Sequence, residues 1–381
     1  MAGTLMDKYP AISDLETRAQ KRIPSFSWEY LASGTGDDWT VQHNLNAMRE
    51  VRFLPEFIKG AMDPVIETEL FGISYAAPIG IAPVGLTSLI WPGADEALAT
   101  AAAEQRIPYT LSTVGTESPE VAGPNAGGMG WFQLYAPRED ALREDILDRA
   151  AQSGFTTLVV TADIPHPSRR ERQRKARVRV PPAIGPQLVA QAALRPAWTA
   201  ALLRNGLPRF RTIEKYSEVN TMKTVAGFVS AALGSTLSFD YLAKVREQWE
   251  GPMVVKGILS PADARRCVDA GADAIQVSNH GGRQLDGTLA GIEALPAVVA
   301  EVGSSVPVIL DSGVRSGLDV ARGLALGASF VFCGRPFMFG LGALGPEGAA
   351  HAYEILRDGL INVMYQTGCN RTDELSDRLV A

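Results

Sequence analysis

The chain has 381 residues, of which 46% are hydrophobic and 20% are charged, a composition that excludes extended disorder and allows one large core or two smaller ones. Its formal net charge of −6 argues against a protein that neutralises nucleic-acid phosphates, so we expect no nucleic-acid partner. The three cysteines form no CxxC pair, which excludes a disulfide framework and a cysteine zinc site. We therefore expect no metal and a reducing, cytoplasmic location.

The amino-terminal part of the chain holds no pattern of a secretion signal, because acidic and basic residues alternate there without an apolar stretch. The longest uncharged run, from Leu70 to Ala94, is long enough to cross a bilayer, but it contains Pro78, Pro83 and Pro92. Prolines and glycines break a lipid-exposed helix, so this run predicts barrel strand and loops. The 37 glycines follow no repeat and indicate many tight turns and backbone that approaches ligands closely.

Short apolar, β-branched segments alternate with alanine-rich amphipathic segments along the chain. Eight segments have strand character, and they are centred near Ile81, Thr110, Gln133, Val159, Val255, Val277, Ile309 and Phe332. The segments between them predict helices over Ala94 to Gln105, Glu139 to Ser153, Pro261 to Ala270, Ile292 to Val302 and Gly317 to Leu326. Continuous apolar strands joined by helices are typical of a covered parallel sheet, so the fold class is α/β and eight units predict a (β/α)8 TIM barrel.

The sequence predicts a single domain over residues 1–381 with additions to the barrel. Its parts are a helical amino-terminal cap, barrel strands one to four, a long loop insertion, and strands five to eight with the carboxyl-terminal helices, over residues 1–70, 71–163, 164–252 and 253–381. Helical patterns at Ile12 to Arg22 and Ser27 to Leu31 indicate the cap. Thr161 and Lys256, which end strands four and five, are 95 residues apart, and this leaves an insertion of about 70 residues beyond the usual barrel size.

Polar residues cluster at the predicted strand ends, where the active sites of such barrels lie. They are Ser112, Gln133, Tyr135, Thr161, Asp163, Lys256, Ser278, His280, Arg283, Asp311, Arg315, Gly334 and Arg335. Capping of strands would explain only two or three of these residues. The set therefore predicts a functional site at this end of the barrel.

The seventh and eighth strands end in DSGVRSG and CGRP, which place glycine amides, Arg315 and Arg335 where barrels commonly bind phosphate. The chain contains neither a GxGxxG segment after a strand nor a GxxxxGK[ST] segment, so it has no Rossmann dinucleotide site and no P-loop. The phosphate is therefore predicted to belong to a mononucleotide-like cofactor or to a phosphorylated substrate.

His280 stands in the segment SNHGGRQLD, directly after the sixth predicted strand. A histidine by itself is more often a hydrogen-bonded core residue, but Asp163 closes the fourth strand and is placed to stabilise an imidazolium. His280 is therefore a candidate general base. Arg283 and Arg170 offer bidentate donors for a carboxylate, which points to an organic-acid substrate, and Lys256 supplies a fixed positive charge.

These residues resemble those of a known family. The segments SNHGGRQLD, FQLY, VVKG, the T-x-D ending of strand four followed by RRER, and the DSG and GR pair together resemble the FMN-dependent L-2-hydroxy-acid dehydrogenases and oxidases. The resemblance covers nearly the whole chain. Gly85 and the segment around LVAQAALRPAW are most similar to the lactate and mandelate dehydrogenase branch.

The resemblance implies roles for individual residues. FMN would contact Pro83, Val84, Gly85, Ser112, Gln133, Thr161, Lys256, Ser278, Asp311, Gly313, Arg315, Gly334 and Arg335. The substrate 2-hydroxy acid would be bound by Tyr30, Tyr135, Arg170 and Arg283. The catalytic residues would be His280, Asp163, Tyr135 and Arg283, with His280 taking a substrate proton. Whether the α-carbon proton leaves first or a hydride reaches the flavin stays open.

Two departures from the family pattern leave the substrate side chain open. The first strand ends in PVG where PTA or PTG is common, which removes a threonine hydroxyl beside the flavin. The loop after the fourth strand reads IPHPSRRERQRK, contains His166, and lacks the usual Asn-Arg-Phe. Gly85 leaves room that favours a bulky or aromatic acid.

Residues 172–213 contain nine basic residues and no acidic one, interleaved with apolar side chains such as Trp198 and Leu203. Such a segment is suited to an anionic membrane surface, although a solvated loop explains it equally well. A membrane quinone or another electron acceptor and a peripheral position on the inner face of the cytoplasmic membrane follow as expectations. The resemblance also implies a homotetramer.

Three alternatives stay open at this point. An oxidase of the same family would pass its electrons to oxygen and produce hydrogen peroxide. A non-redox FMN isomerase on the same barrel would leave His280, Arg283 and Asp163 without a role. A flavin-binding carrier without activity would not need so complete a set of polar residues.

Overall fold

A computed structural model describes residues 4–176, 185–216 and 237–380 of the chain. Residues 177–184 of the predicted basic segment 172–213 lie outside the described residues. So do residues 217–236 of the predicted insertion.

Within the described ranges, ten strands form two sheets. The strands are β1 (Thr68–Leu70), β2 (Ile73–Tyr75), β3 (Ile79–Ile81), β4 (Tyr109–Ser112), β5 (Gly130–Leu134), β6 (Thr157–Thr161), β7 (Met253–Ile258), β8 (Ala274–Val277), β9 (Val308–Leu310) and β10 (Phe330–Cys333). Strands β3 to β10 are parallel and close into a barrel, with β10 pairing to β3. The eight predicted strands are these eight, and the predicted (β/α)8 barrel is confirmed.

Helices surround the barrel and form the additions to it. Those before the insertion are α1 (Leu5–Lys8), α2 (Ile12–Arg22), α3 (Ser25–Ala32), α4 (Trp39–Glu50), α5 (Thr87–Ile90), α6 (Ala94–Gln105), α7 (Pro119–Asn125) and α8 (Asp140–Gln152). Those within and after it are α9 (Glu171–Lys175), α10 (Pro186–Ala193), α11 (Pro196–Asn205), α12 (Phe239–Gln248), α13 (Pro261–Asp269), α14 (Gly291–Val302), α15 (Gly317–Ala325), α16 (Arg335–Leu344) and α17 (Glu347–Thr367). Short 3₁₀ helices cover Glu214–Tyr216 and Thr372–Arg378.

Aromatic side chains fill the inside of the barrel. Trp131 and Phe332 lie with their ring centroids 4.9 Å apart, and both are fully buried. Gly80 on β3 makes room for them, because a Cβ at this position would lie 2.5 Å from the Phe332 ring. The interior is therefore a packed core, as expected for a barrel of this size, and the functional surface must lie at its ends.

The β1–β2 hairpin closes the amino-terminal end of the barrel strands. Tyr75 stacks edge-on against Phe330 with ring centroids 5.3 Å apart, and its hydroxyl accepts a hydrogen bond of 3.2 Å from Trp131 Nε1. This hairpin was not predicted from the sequence, and it falls across the predicted boundary between the cap and the first strand. Its position leaves the carboxyl-terminal end of the strands as the open end.

The cap and the insertion both lie beside that open end. In the cap, α2 packs closely on α16, where a Cβ on Gly342 would lie 2.9 Å from Ala19. In the insertion, α11 is fixed by Trp198, which is 3% exposed and donates from Nε1 to the carbonyl of Ile90 at 3.0 Å. No helix in the described ranges combines the length and the apolar character needed to cross a membrane.

Candidate functional site

A cavity of about 750 Å³ opens at the carboxyl-terminal end of the barrel. Fourteen of the predicted site residues line it, namely Tyr30, Pro83, Val84, Gly85, Tyr135, Arg170, Lys256, His280, Arg283, Asp311, Gly313, Arg315, Gly334 and Arg335. They come from the cap, from strand β7, from the loops after β3, β5, β8, β9 and β10, and from the insertion. The fold thus brings residues that are distant in sequence to one chamber.

The other five predicted residues lie next to the cavity lining and hydrogen bond with it or with each other. Ser112 Oγ donates to Gln133 Oε1 at 2.7 Å, and Gln133 Nε2 donates to Thr161 Oγ1 at 2.9 Å. These residues end β4, β5 and β6, so the row follows the barrel wall. Ser278 accepts from Lys256 Nζ at 2.7 Å, and the fifth residue, Asp163, pairs with His280.

The pair of His280 and Asp163 joins the loops after β8 and β6. Nδ1 of His280 lies 2.9 Å from Oδ1 of Asp163, and the two side chains are 16% and 12% exposed. Burial alone would raise the pKa of Asp163, but the charge and hydrogen bond of His280 hold that pKa below its ordinary value. Asp163 is therefore a carboxylate at neutral pH and favours a proton on Nδ1. His280 Nε2 has no hydrogen-bond partner among the described residues and borders the cavity.

Left-handed backbone presents this histidine. His280 has φ +58°, and Gly281 and Gly282 follow with φ +64° and +76°. A Cβ on Gly282 would lie 2.8 Å from the backbone nitrogen of Val41, so only glycine fits there. The sequence HGG is thus required by the turn that aims His280 into the cavity.

Two arginines and a tyrosine face the same part of the cavity. Arg283 Nη1 donates to the carbonyls of Tyr30 and Ser33 at 2.8 and 3.0 Å, and it has no carboxylate partner among the described residues. Burial and the nearby Arg170 lower the pKa of Arg283. Burial and the charge of Asp163 raise the pKa of Tyr135, so its phenol keeps its proton and is a donor. This is an environment for a substrate carboxylate.

Tyr30 and Arg170 are also tied to neighbouring loops. Tyr30 Oη donates to the carbonyl of Gly85 at 2.8 Å, which fixes the cap to the loop after β3. Arg170 donates from Nε to Ser168 Oγ at 3.0 Å and from Nη2 to Gln284 Oε1 at 3.2 Å. Both residues line the cavity.

The cavity lining also includes two half-buried arginines and a helix amino terminus. Gly334 caps α16, and Arg335 begins it. Arg335 donates to the carbonyls of Leu31, Gly281 and Ser33 at 2.9 to 3.1 Å, and Arg315 donates to that of Val314 at 2.8 Å. Neither forms an ion pair with a carboxylate in the described part of the chain.

Burial lowers the pKa of both arginines, and their mutual repulsion lowers that of Arg335 further. Buried cations without a counterion favour a bound anion, and the amino terminus of α16 adds to the same field. These residues therefore fit the phosphate of the FMN that the sequence resemblance implies.

Lys256 and Asp311 form a buried ion pair at the centre of the site. Lys256 Nζ donates to Asp311, and their side chains are 4% and 7% exposed. Asp311 also accepts from Gln276 Nε2 at 3.0 Å and from Ser312 Oγ at 2.8 Å. The positive charge of Lys256 is thus balanced by Asp311, whose carboxylate faces the lysine.

Several residues that line the cavity were not singled out from the sequence. They include Arg138, Ile164, Ser168, Phe210, Gln284 and Ser312. Ser312 carries a recognisable signal, because it is part of the DSG segment; it has φ +83°, and its Oγ accepts from Gly281 N at 3.0 Å. Phe210 carries none, because it belongs to the insertion and reaches the cavity through its fold. His166, noted in the sequence as a departure from the family pattern, also lines the cavity. The described residues contain no group of three or more His, Cys, Asp or Glu side chains placed to hold a metal ion.

Comparisons with known proteins agree with this geometry. A family model described as FMN-dependent dehydrogenase matches residues 19–381. The chain is 37% identical to an L-lactate dehydrogenase of Pectobacterium atrosepticum over 97% of the chain and 96% of the relative. It is 37% identical to one of Pseudomonas aeruginosa over 97% of the chain and 98% of that protein.

Solved structures are similar over the same length. The monotopic membrane protein (S)-mandelate dehydrogenase matches with a TM-score of 0.92 and 33% identity, over 97% of this chain and 98% of that one. A mandelate oxidase variant with (S)-mandelic acid matches with a TM-score of 0.81 and 33% identity, over 98% of both chains.

Proposed function

The chain belongs to the FMN-dependent dehydrogenase family and is an FMN-dependent L-2-hydroxy-acid dehydrogenase, and from that premise we propose which of its residues perform the oxidation to the 2-oxo acid. The observation that carries the proposal is the His280 and Asp163 pair. Asp163 holds the proton on Nδ1, so Nε2 is the atom that accepts a substrate proton. FMN, when bound, supplies the two-electron oxidant.

Arg283, Arg170 and Tyr135 bind the substrate in this proposal. The guanidinium of Arg283 is buried without a carboxylate partner, so a substrate carboxylate gives it the counterion it lacks. The protonated Tyr135 phenol donates to the same carboxylate or to the hydroxyl. With the acid held from this side, its α-carbon or hydroxyl is presented to His280. Tyr30 lines the same cavity, and its hydroxyl is hydrogen bonded to the carbonyl of Gly85.

The FMN phosphate binds Arg315, Arg335, Gly313 and Gly334 in this proposal. These residues combine two uncompensated guanidinium groups with the amino terminus of α16. The residues that would hold the flavin ring are those of the loop after β3 and of the polar row at the barrel wall, to which the sequence resemblance assigns this role: Pro83, Val84, Gly85, Ser112, Gln133, Thr161, Lys256 and Ser278. The ion pair with Asp311 holds the Lys256 side chain in place at this wall of the cavity.

The proposed substrate is a lactate- or mandelate-like L-2-hydroxy acid. Relatives of both kinds match nearly the whole chain, and the cavity combines Gly85 with the apolar side chains of Ile164 and Phe210. The test is anaerobic bleaching of the flavin by the L and D forms of lactate and mandelate. We expect bleaching by at least one L acid. Equal bleaching by its D form, or by none of the four acids, would contradict the proposal.

The electron acceptor is proposed to be a membrane quinone. The similarity to a monotopic membrane dehydrogenase supports this, and so do the basic segment 172–213 and the exposed apolar residues of the insertion. Val189 on α10, Leu194 in the turn that follows it and Leu203 on α11 are 56%, 71% and 83% exposed. The enzyme is then a peripheral protein on the cytoplasmic face of the membrane.

Sedimentation with vesicles tests this attachment. Deleting residues 177–211 would also remove Phe210 from the cavity and the buried Trp198, so point variants are cleaner. The double variant Leu194→Ser and Leu203→Ser is expected to lose vesicle binding. Phe57→Ser with Ile58→Ser, at residues 71% and 100% exposed elsewhere on the surface, is the matched control. Equal binding by both double variants would contradict the attachment through α10 and α11.

Oxygen is the alternative acceptor, because mandelate oxidases match the chain with 33% identity. Re-oxidation of the anaerobically reduced enzyme in air separates the two. Recovery of the flavin colour within seconds would assign an oxidase, whereas slow recovery that a quinone accelerates would assign the dehydrogenase. A homotetramer is also proposed from the family resemblance, and light scattering of the holoenzyme tests it.

A further inference from the structure

A second cavity, of about 590 Å³, lies between the cap and the insertion and shares no lining residue with the catalytic cavity. Its walls come from α1, α2 and the junction of α10 with α11. Five basic side chains line it, those of Lys8, Arg18, Lys21, Arg22 and Arg195, together with a single carboxylate, Asp14. A cavity with this excess of positive charge is unexpected in a chain whose net charge is −6.

Backbone carbonyls and aromatic rings hold the arginines in place. Arg18 donates from Nε to the carbonyl of Ala343 at 2.8 Å, and its guanidinium lies 5.1 Å from the ring centroid of Tyr9. Arg22 donates to the carbonyl of Gly342 at 3.3 Å and lies 4.3 Å over the ring of Trp91. These contacts fix the two guanidinium groups and leave several of their N–H donors unused.

Arg195 is fixed in the same way on the other wall. Its Nε donates to the carbonyl of Ile23 at 3.1 Å, and it stands immediately before α11. The first residues of α11, Pro196 and Ala197, also line the cavity, so the positive end of a ten-residue helix points at it. The basic side chains and the helix amino terminus thus both place positive charge around the same cavity.

The positive charges are not neutralised by the protein. None of the five basic residues has a carboxylate within 4.0 Å among the described residues, and Asp14 is used to cap α2 through the amide of Ala11 at 3.0 Å. Burial and the charge of Arg18 lower the pKa of Arg22, against the opposing charge of Glu347. The cavity therefore has the electrostatic character of an anion site.

We propose that this cavity binds a phosphate-bearing anion. Three guanidinium groups and two ammonium groups match a phosphate, which has more acceptor oxygens than a single carboxylate. The phosphate has two chemical sources, a soluble phosphate ester or the headgroup of an anionic phospholipid. Leu194, which lines the cavity and is 71% exposed, lies where an acyl chain would leave the headgroup. The site does not depend on the proposed quinone acceptor or on the catalytic roles.

The test uses the FMN-loaded enzyme, so that the catalytic phosphate site is filled. Calorimetry with inorganic phosphate and with glycerol 1-phosphate measures the soluble source, and sedimentation with phosphatidylglycerol-containing or pure phosphatidylcholine vesicles measures the lipid source. The variant is Lys8→Gln with Lys21→Gln, because both side chains are exposed and neither forms a side-chain hydrogen bond among the described residues. The control is Lys215→Gln with Lys244→Gln, which removes the same charge away from the cavity.

We expect the cavity variant to bind at least one phosphate probe about fivefold more weakly than the wild type, since two partly exposed charge interactions are removed. The control is expected to bind like the wild type, and both variants are expected to keep FMN and turnover.

The outcomes distinguish the two sources of phosphate. Binding of the soluble probes assigns a phosphate ester, and binding of phosphatidylglycerol vesicles alone assigns a lipid headgroup. No binding of any probe, or equal binding by the two variants, would overturn the proposal. So would tighter binding in calorimetry of tricarballylate, a tricarboxylate without phosphate, than of inorganic phosphate. Loss of vesicle binding in the leucine variant with unchanged phosphate binding would separate this site from the membrane attachment.

Discussion

Asp163 Oδ1 lies 2.9 Å from His280 Nδ1, and a glycine on the strand between their two loops makes room for this contact. Gly257 lies on β7, at a bulge in its pairing with β8, and has φ +99°. A Cβ on Gly257 would lie 2.5 Å from Asp163 Cγ. The Asp163 carboxylate thus occupies the space that a side chain at position 257 would fill, which couples the VVKG segment to the orientation of the histidine.

Replacement of the proposed base is the first test of the mechanism. His280→Gln is expected to keep FMN and to slow flavin reduction by substrate about 10²- to 10⁴-fold, the range typical of general base catalysis. His166→Gln is the matched control, because His166 lines the same cavity outside the pair with Asp163. Rapid-mixing anaerobic reduction measures both. An equal loss in the two variants would show that His280 has no special role.

Gly257→Ala is expected to slow flavin reduction by displacing Asp163, while FMN stays bound. The substitution also costs about 1 to 2 kcal/mol because an alanine is strained in left-handed backbone. Gly287→Ala separates the two effects, since Gly287 has φ +84° but nothing within 4 Å of its Cβ position. The control should lose stability in urea unfolding and keep its rate. A rate loss of the same size in Gly287→Ala would assign the effect to backbone strain.

The barrel was predictable because its signals are local. The pair of His280 and Asp163 could also be expected, because both residues follow strand ends, but the ion pair of Lys256 and Asp311 was not predicted. Buried apolar strands and helices such as Ala94–Gln105 follow from short segments, and the residue types at strand ends identify the cavity. The β1–β2 hairpin was missed because its strands, TEL and ISY, mix polar and apolar residues and lack the continuous apolar character of the barrel strands. Lys256 and Asp311 were predicted separately as FMN contacts, and their side chains meet because β7 and β9 flank β8 in the barrel.

Arg315 is predicted to recognise the phosphate of the cofactor. Arg315→Gln is expected to weaken FMN binding about 10- to 150-fold, corresponding to about 1.5 to 3 kcal/mol for a charge-assisted hydrogen bond. Riboflavin, which lacks the phosphate, should bind the variant and the wild type alike. Fluorescence titration of the apoprotein measures both ligands, and Arg315→Lys should recover part of the FMN affinity. Equal weakening for riboflavin would assign Arg315 a structural role.

The buried Lys256 and Asp311 pair predicts a strong coupling between its members. Lys256→Met leaves the Asp311 carboxylate buried and uncompensated, so the apoprotein is expected to lose about 3 to 5 kcal/mol of unfolding free energy. Adding Asp311→Asn removes that charge and should restore a large part of the loss. Urea unfolding of the two single variants and the double variant measures the coupling. Additive losses would contradict an ion pair that acts as one unit.

The ion pair of Glu120 and Arg149 predicts a pH-dependent contribution to stability where α7, α8 and the insertion meet. The hydrogen bond from Arg149 lowers the pKa of Glu120 from 4.5 to about 2, and Arg149 also donates to the carbonyl of Thr212 at 2.7 Å. Since the folded-state pKa is below the unfolded one, the contribution is fully present above pH 4.5 and is lost as the pH falls toward 2. Glu120 is half exposed, which limits the effect at neutral pH to below about 1 kcal/mol. The wild type should therefore unfold at a higher temperature than Glu120→Gln at pH 7, with a difference that narrows below about pH 4.5. A difference that stays constant from pH 7 to the acid limit of folding would contradict the assignment.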